Sequence, residues 1–325
     1  MKHSLSATIT IFAVVLANSA LAQPFPSKPI EFVTHSAPGG GADVVARVIA
    51  DIVAKEKLLS QPLVVQNRTG GGGAIAMNYM VGKRGDPYFL HSVAVTVMLS
   101  VPVRTGTDVG YDKFHMLGLI GHDLNALTVG ADSPYKTVQD IVNAAKAKPK
   151  SITIAVGSIG ATAHYFVYQL ERLTGTRFNV VALKSGADAA IQVMGGHVHA
   201  TSENVGEMIG HVEAKKMRVL GISANARVAG LPDVPTLKEQ GFDLHVGAAR
   251  AVAAPAGIPR EAARIYEDMV AKVYKSAAWR DYMRRNQYEE QYLNAEETTR
   301  FMKVRQTEIT RFLTEIGLVQ PAKTP

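Results

Sequence analysis

Thr34-His35-Ser36-Ala37-Pro38-Gly39-Gly40-Gly41-Ala42-Asp43 is the stretch that decides the fold. An apolar run, Ile30 to Thr34, precedes the glycines, and a helix-patterned segment, Val44 to Ala54, follows them. This reads as strand, glycine loop and helix start. Consecutive glycines let backbone N–H groups reach a ligand without side-chain obstruction. The first turn of a helix adds unpaired N–H donors and partial positive charge. Together they make a seat for an anion.

The pattern then repeats. Leu63 to Val65 is a second strand, ending in Gln66-Asn67-Arg68-Thr69 and four glycines, Gly70 to Gly73. A helix pattern runs from Ala74 to Met80, and Tyr88 to Val93 is a third strand, followed by a loop at Ala94-Val95-Thr96. Strand and helix in alternation predict a parallel α/β sheet with ligand loops at the strand ends. A second series begins near Leu124. Its strands are Ala126–Val129, Ile152–Val156, Val180–Leu183, Val198–Thr201 and Val219–Ile222. Helices fall at 136–146, 163–173 and 187–194, and small polar loops at Ser158–Thr162, Ser185–Gly186 and Glu203–Asn204. Phe242–Val246 reads as strand and Ala254–Pro259 as a turn-rich joint. Helices at 259–275, 278–287 and 295–316 follow, suited to covering the first sheet. Two α/β lobes imply a cleft between them as the ligand site.

Composition narrows the class. Met1-Lys2-His3, an apolar core from Ile9 to Leu16 and Ala20-Leu21-Ala22 describe a secretory signal peptide at residues 1–22, cleaved after Ala22, with the mature chain in the periplasm. The chain has no cysteine, which excludes disulfides, thiolate metal sites and a lipid anchor on cysteine. Hydrophobic content of 47% and charged content of 19% fit a compact globular protein. The net charge of +7, or +6 once residues 1–22 and their single lysine are removed, suits anionic ligands. Basic residues are scattered without interleaved aromatics, so nucleic acid is not an expected partner.

Several motifs fail on spacing. The glycine loop lacks the third glycine of a dinucleotide fingerprint, since Val44 stands there, and no P-loop sequence occurs. Gly157-Ser158-Ile159-Gly160 lacks the glycine two residues before the serine that a nucleophile elbow needs. His197-Val198-His199 offers two imidazoles without a third ligand, and no metal is expected. Asp43 is either a ligand contact or a helix cap. Arg250 is either a carboxylate clamp or an exposed arginine. Ser158 and Thr162 offer hydroxyls beside glycine N–H groups at a helix start.

Taken in order, Phe25-Pro26-Ser27-Lys28-Pro29-Ile30, Ala37–Asp43, Val65–Gly72, Asp132–Thr137, Gly195–Val198, Leu231–Thr236 and Ala254–Pro259 resemble Bug-type proteins. These are the extracytoplasmic solute receptors of tripartite tricarboxylate transporters. The resemblance covers essentially the whole mature chain. It implies a two-lobed type II periplasmic-binding-protein fold, organic-acid ligands and delivery to a membrane permease. A carboxylate would be held at the first glycine loop, and by second-lobe loops matching Ser158–Thr162 and Lys184–Ala187. Two departures stand out. Gly85-Asp86-Pro87-Tyr88-Phe89-Leu90 replaces the usual Asp-Gly-Tyr-Thr-Leu and resembles the tricarboxylate branch. Ala249 stands where a tryptophan commonly precedes the position of Arg250, which would widen or reshape the cleft.

The expected organisation is a first lobe of residues 23–123 and 248–325, a second of 124–247, and hinges near 122–125 and 246–250. The expected ligand contacts are Gly40, Gly41, Ala42, Asp43, Thr96, Ser158, Ala161, Thr162, Ser185, Gly186, Asn204 and Arg250. No cofactor is expected, and the protein is read as a monomeric receptor rather than an enzyme. The rivals are a secreted hydrolase or lyase using His164 or His35, and a receptor that feeds a signalling sensor.

Overall fold

A computed structural model describes residues 25–319, so the expected signal peptide lies outside the described residues. The first lobe opens with β1 (Ile30–Thr34), α1 (Gly41–Lys55), β2 (Leu63–Asn67), α2 (Ala74–Val81), β3 (Phe89–Ala94), α3 (Val95–Thr105) and β4 (Phe114–Leu124). The chain then builds β5 (Ala126–Gly130), α4 (Val138–Ala147), β6 (Thr153–Val156), α5 (Thr162–Thr174), β7 (Asn179–Ala182), α6 (Gly186–Met194), β8 (Ala200–Thr201), α7 (Val205–Glu213) and β9 (Met217–Ile222). It returns through β10 (Gly247–Pro255), α8 (Arg260–Lys275), α9 (Ala277–Arg285), β11 (Tyr288–Glu289) and α10 (Ala295–Glu315).

Two sheets result. The first has the order β11-β4-β10-β3-β1-β2, and the second β7-β6-β8-β5-β9. β1 pairs in parallel with β2 and β3, as alternation of strand and helix requires. The returning β10 inserts antiparallel between β3 and β4. In the second sheet β6 runs parallel to β7 and β8, while β5 is antiparallel to β8 and β9. The sheets are joined where β4 passes through Asn125 into β5, and where the chain from β9 re-enters as β10.

Local chemistry explains the elements. β1 is almost wholly buried because helices cover both faces of its sheet, so it reads as an apolar run rather than an alternation. α1 buries Ala42, Val45, Ala46, Ile49, Ile52 and Val53, one stripe at helical spacing. α4 and α10 start in capping boxes, Thr137 with Asp140 and Asn294 with Glu297. One core cluster packs Phe32, Ile49, Tyr266 and Trp279 beneath α1, α8 and α9. A larger one runs from Met77, Met98 and Leu119 to Ile154, Phe166 and Leu220, with Phe312 and Leu313 of α10 among its members. α10 thus does more than cover the first sheet. It lies along α3 and β4 and also reaches α5, where Phe312 meets Tyr165 and Tyr168.

The structure corrects several sequence readings. Ala94-Val95-Thr96 is not a loop, because α3 begins at Val95. Phe242–Val246 is not a strand; the strand is β10, which runs on through Ala254 and Pro255, part of the expected joint. β4 and α7 were not legible as elements. Among the described residues no helix is long and apolar enough to cross a membrane.

Candidate functional site

The first glycine loop is held rigid by Asp43. Its carboxylate accepts the Gly39 N–H at 2.8 Å, Arg47 Nε at 3.0 Å and Asn67 Nδ2 at 2.8 Å. Burial works against its charge, but these three donors together hold the carboxyl below the ordinary range. Asn67 also donates to the Ser36 carbonyl at 2.9 Å, and Ser92 Oγ of β3 to the Ala42 carbonyl at 3.0 Å. Asp43 is therefore neither of the two things its position suggested. It sits at the third helical position, not the N-cap, and its carboxylate is committed to the loop. Gly40 is the N-cap. The Gly40 N–H donates to the Ala37 carbonyl at 3.0 Å and the Asp43 N–H to Gly40 at 2.9 Å. Of the four expected backbone donors, Gly41 and Ala42 remain as the first-turn groups that a helix cannot satisfy internally.

Three helices of the second lobe start at expected ligand contacts. α5 starts at Thr162 with Ala161 as N-cap, α6 at Gly186 with Ser185 as N-cap, and α7 at Val205 with Asn204 as N-cap. Ser185 Oγ is occupied in capping, accepting the Asp188 N–H at 3.1 Å. Thr162 is buried beside the half-buried Ser158. Thr96 is buried in the first turn of α3. Asn204 is turned to the crossover, where Nδ2 donates to the Asp123 carbonyl at 2.7 Å. Arg250 is no exposed arginine. It is 4% exposed, and Nη2 donates to Asp123 Oδ2 at 2.5 Å. Tyr288 donates to the same oxygen at 3.0 Å. Ala249, one residue earlier, lies in the larger core cluster.

Close approach of neighbouring segments explains the glycines, across the lobes at Gly41 and within the second lobe at Gly157 and Gly186. A Cβ on Gly41 would stand 2.6 Å from Arg250 Nη2 and 3.1 Å from Glu207 Oε1. One on Gly157 would stand 2.8 Å from the backbone of Ser185 and Gly186. One on Gly186 would stand 2.0 Å from Glu207 Oε2 and 3.3 Å from Glu203 Cγ. Glu203 and Glu207 therefore lie among these glycines, and neither was singled out from sequence. The available signal was an acid pair four residues apart, straight after the β8 strand. Glu203 Oε1 accepts the Gly157 N–H at 2.5 Å. Burial pushes the Glu203 carboxyl up to about 7 and the Glu207 carboxyl up to about 8, with Asp123 repelling both and Arg250 partly offsetting this.

Arg104, at the end of α3, is a second missed residue. Nη2 donates to the Gly72 carbonyl at 2.9 Å, and a Cβ on Gly160 would stand 2.8 Å from Arg104 Cδ. It spans the second glycine loop and the Gly157–Gly160 loop.

The histidines have other duties. His164 Nδ1 accepts the Gly160 N–H at 3.2 Å, and burial holds the ring down at about 4. His35 is held at about 3 by burial, with His91 and Arg250 adding to it. His199 Nδ1 accepts the Thr153 N–H at 3.0 Å. Among the described residues no group of three His, Cys, Asp or Glu could hold a metal ion. A cavity of about 810 Å³ lies away from the glycine loops, between loop 224–229 and α9, lined by Arg227, Arg280, Arg284 and Glu289. It includes none of the residues expected at the ligand site.

Two lobes joined by crossing strands, with α1 and α6 starting at glycines on either side of Glu207, define a solute-binding protein. The chain matches the model of the tripartite tricarboxylate transporter family receptor over residues 45–318, and it belongs to that family. It is 29% identical over 297 residues to the UPF0065 protein in the gbd 5' region of Cupriavidus necator, covering 91% of this chain and 90% of that one. It is 28% identical to protein BugT of Bordetella pertussis, covering 77% of this chain and 78% of BugT. Among solved structures, a TctC solute-binding protein from Polaromonas superposes with a TM-score of 0.71 at 28% identity, covering 90% of this chain and 99% of that one. The expected family and two-lobed fold are thereby confirmed.

Proposed function

We propose that this chain is a periplasmic receptor that captures an organic carboxylate between its lobes and hands it, chemically unchanged, to the permease of a tripartite tricarboxylate transporter. The observation that carries this reading is the meeting of helix starts at Glu207 of the second lobe, which stands beside Gly41 of α1 and Gly186 of α6, with α5 starting at Ala161 and Thr162 in the same lobe as α6. First-turn N–H groups and the helix dipoles favour a bound anion. Thr96 and Ser158 supply hydroxyls nearby. The Asp43–Asn67–Arg47 network supports it by fixing the donors before a ligand arrives, which lowers the ordering cost of binding.

On this reading residues 23–123 and 248–325 form one jaw and 124–247 the other. Closure is a hinge motion at 122–125 and 246–250. The family's role as a receptor supports the exported state and the permease partner, and the chain is read as a monomer. A hydrolase reading finds little support in the histidines, since His164 is engaged by Gly160 and both His164 and His35 are held far below their ordinary value.

The test is a thermal-shift screen of purified protein against millimolar di-, tri- and aromatic carboxylates, followed by recovery of the bound molecule. A rise in melting temperature with an unchanged ligand is expected. No shift with any acid, or a converted ligand, would sink the reading.

A further inference from the structure

The cleft is electrically lopsided. At one end Glu203 and Glu207 converge on Gly41, Gly157 and Gly186. At the other, Arg104 bridges Gly72 and Gly160. Gly157 and Gly160 are ends of one loop, so their Cα atoms stand no more than about 11 Å apart. The two clusters thus lie within the span of one small ligand.

The acidic end is short of partners. Arg250 is the cation within it, and its Nη2 is committed to Asp123. Three carboxyl groups, Asp123, Glu203 and Glu207, therefore share one guanidinium. Glu203 is 7% exposed, and among the described residues it accepts a single hydrogen bond, from Gly157. Glu207 accepts none among them. Asp123 Oδ1 and Arg250 Nε are buried without a hydrogen-bond partner, as is Arg104 Nε at the opposite end. Buried polar groups left this way, as in Asp123 and Arg250, are strongly disfavoured unless a charged or donor group pairs with them, and the half-buried Glu207 beside them is open to such a group. A plain dicarboxylate would add negative charge to this end and aggravate the imbalance.

We propose that Glu203 and Glu207 form an ammonium seat, so that the ligand is a carboxylic acid that also carries a protonated amine. Its carboxylate lies toward the helix starts and Arg104, and its amine toward the two glutamates. This rests on the carboxylate reading above and adds a specificity that the family name does not imply. An ammonium has three donors and no acceptor, which matches two carboxylates once they release the protons that burial lets them hold in the free protein. One ammonium also offsets part of the repulsion that Asp123 exerts on both glutamates.

The experiment uses matched acids of four to six carbons: the α,ω-diacid, its 2-amino derivative, the ω-amino monoacid and the α,ω-diamine. Affinities are measured by calorimetry near neutral pH for the wild-type protein, E203Q, E207Q and the double variant. Glutamine retains an acceptor for Gly157 and the side-chain shape, and circular dichroism checks the fold. The expected result is that an amino-bearing acid binds about tenfold or more tightly than its diacid, in line with charge-assisted hydrogen bonds. That preference falls to near unity in the double variant. Equal or tighter binding of the diacid, or an amino preference untouched by the double variant, would overturn the ammonium seat and leave the carboxylate reading standing. Binding of the diamine alone, lost in the double variant, would uphold the seat and remove the carboxylate reading. Failure of all four classes would remove both.

Discussion

Arg250 of β10 and Asp123 of β4 are locked together at the point where both strands leave the first sheet, with Nη2 and Oδ2 2.5 Å apart and both side chains at most 5% exposed. The pair joins the two chain segments that connect the sheets. It also borders the ligand cleft, because Arg250 Nη2 lies against Gly41. Removing one member strands a buried charge. R250M and D123N are each expected to lower the unfolding free energy by about 3–5 kcal/mol. A double replacement with a volume-matched apolar pair should recover much of this. Urea denaturation checks it, and single variants within 1 kcal/mol of wild type would mean that water reaches the pair.

Asp43 makes a different prediction, because it acts on the loop and not on the ligand. D43A frees the Gly39 N–H, Arg47 and the Asn67 amide at once. A loss of about 2 kcal/mol is expected, alongside roughly tenfold weaker ligand binding from the lost ordering of the loop. Were Asp43 a direct ligand contact, affinity would collapse with stability unchanged.

How much of this was legible in the sequence depended on what each residue type signals by itself. β1 and the α1 start announce themselves, because an apolar run, glycines and an amphipathic stripe are local patterns. β4 does not. It is buried along nearly its whole length, so no alternation marks it, and Gly118 and Gly121 interrupt it at positive φ. β10 is mostly alanine, and only Ala254 and Pro255 at its end fell in the expected joint, yet it is the central strand between β3 and β4. Small side chains are what such a crowded position admits. α7 hides behind Gly206 and Gly210. The site follows the same division. The glycine loops were legible as loops, but Arg104 sits on a helix that was read as a loop, and Glu203 and Glu207 acquire meaning only when the second lobe brings them to Gly41. Arg250 was found, while its partner Asp123 was not, because their pairing belongs to the tertiary fold.

Gly157 tests the approach of the two second-lobe loops. Its φ is not one that requires glycine, so strain is not the argument. The obstacle is backbone, with Ser185 and Gly186 at 2.8 Å from an added Cβ. G157A therefore has to push the Gly157–Thr162 and Ser185–Gly186 loops apart. About 1–3 kcal/mol of destabilisation is expected, with ligand affinity reduced more than stability alone would dictate. By contrast, G186A meets the flexible end of Glu207, which can swing aside. G157A bound as tightly as wild type would place the ligand away from these loops.

The buried titratable groups predict how the ligand-free protein responds to pH. For Glu203 and Glu207 the folded carboxyls are raised above the ordinary 4.5, to about 7 and about 8. Between those limits the folded chain holds protons that the unfolded chain has released. Their contribution is fully present below 4.5 and is lost as pH rises toward 8. His35, His91 and His164 act in the opposite sense. Their folded values are depressed from 6.5 to between about 3 and about 4, so stability is lost as pH falls below 6.5. Above 6.5 the glutamates act without the histidines. The melting temperature of the free protein should therefore fall from pH 6.5 to 8.5, by several degrees if the two carboxyls contribute on the order of 2 kcal/mol there. The E203Q/E207Q double variant should lose this alkaline fall and keep the acid one. A wild-type profile that stays flat above pH 6.5, or an alkaline fall that survives in the double variant, would mean that the two carboxyls are hydrated and ionised in the free cleft.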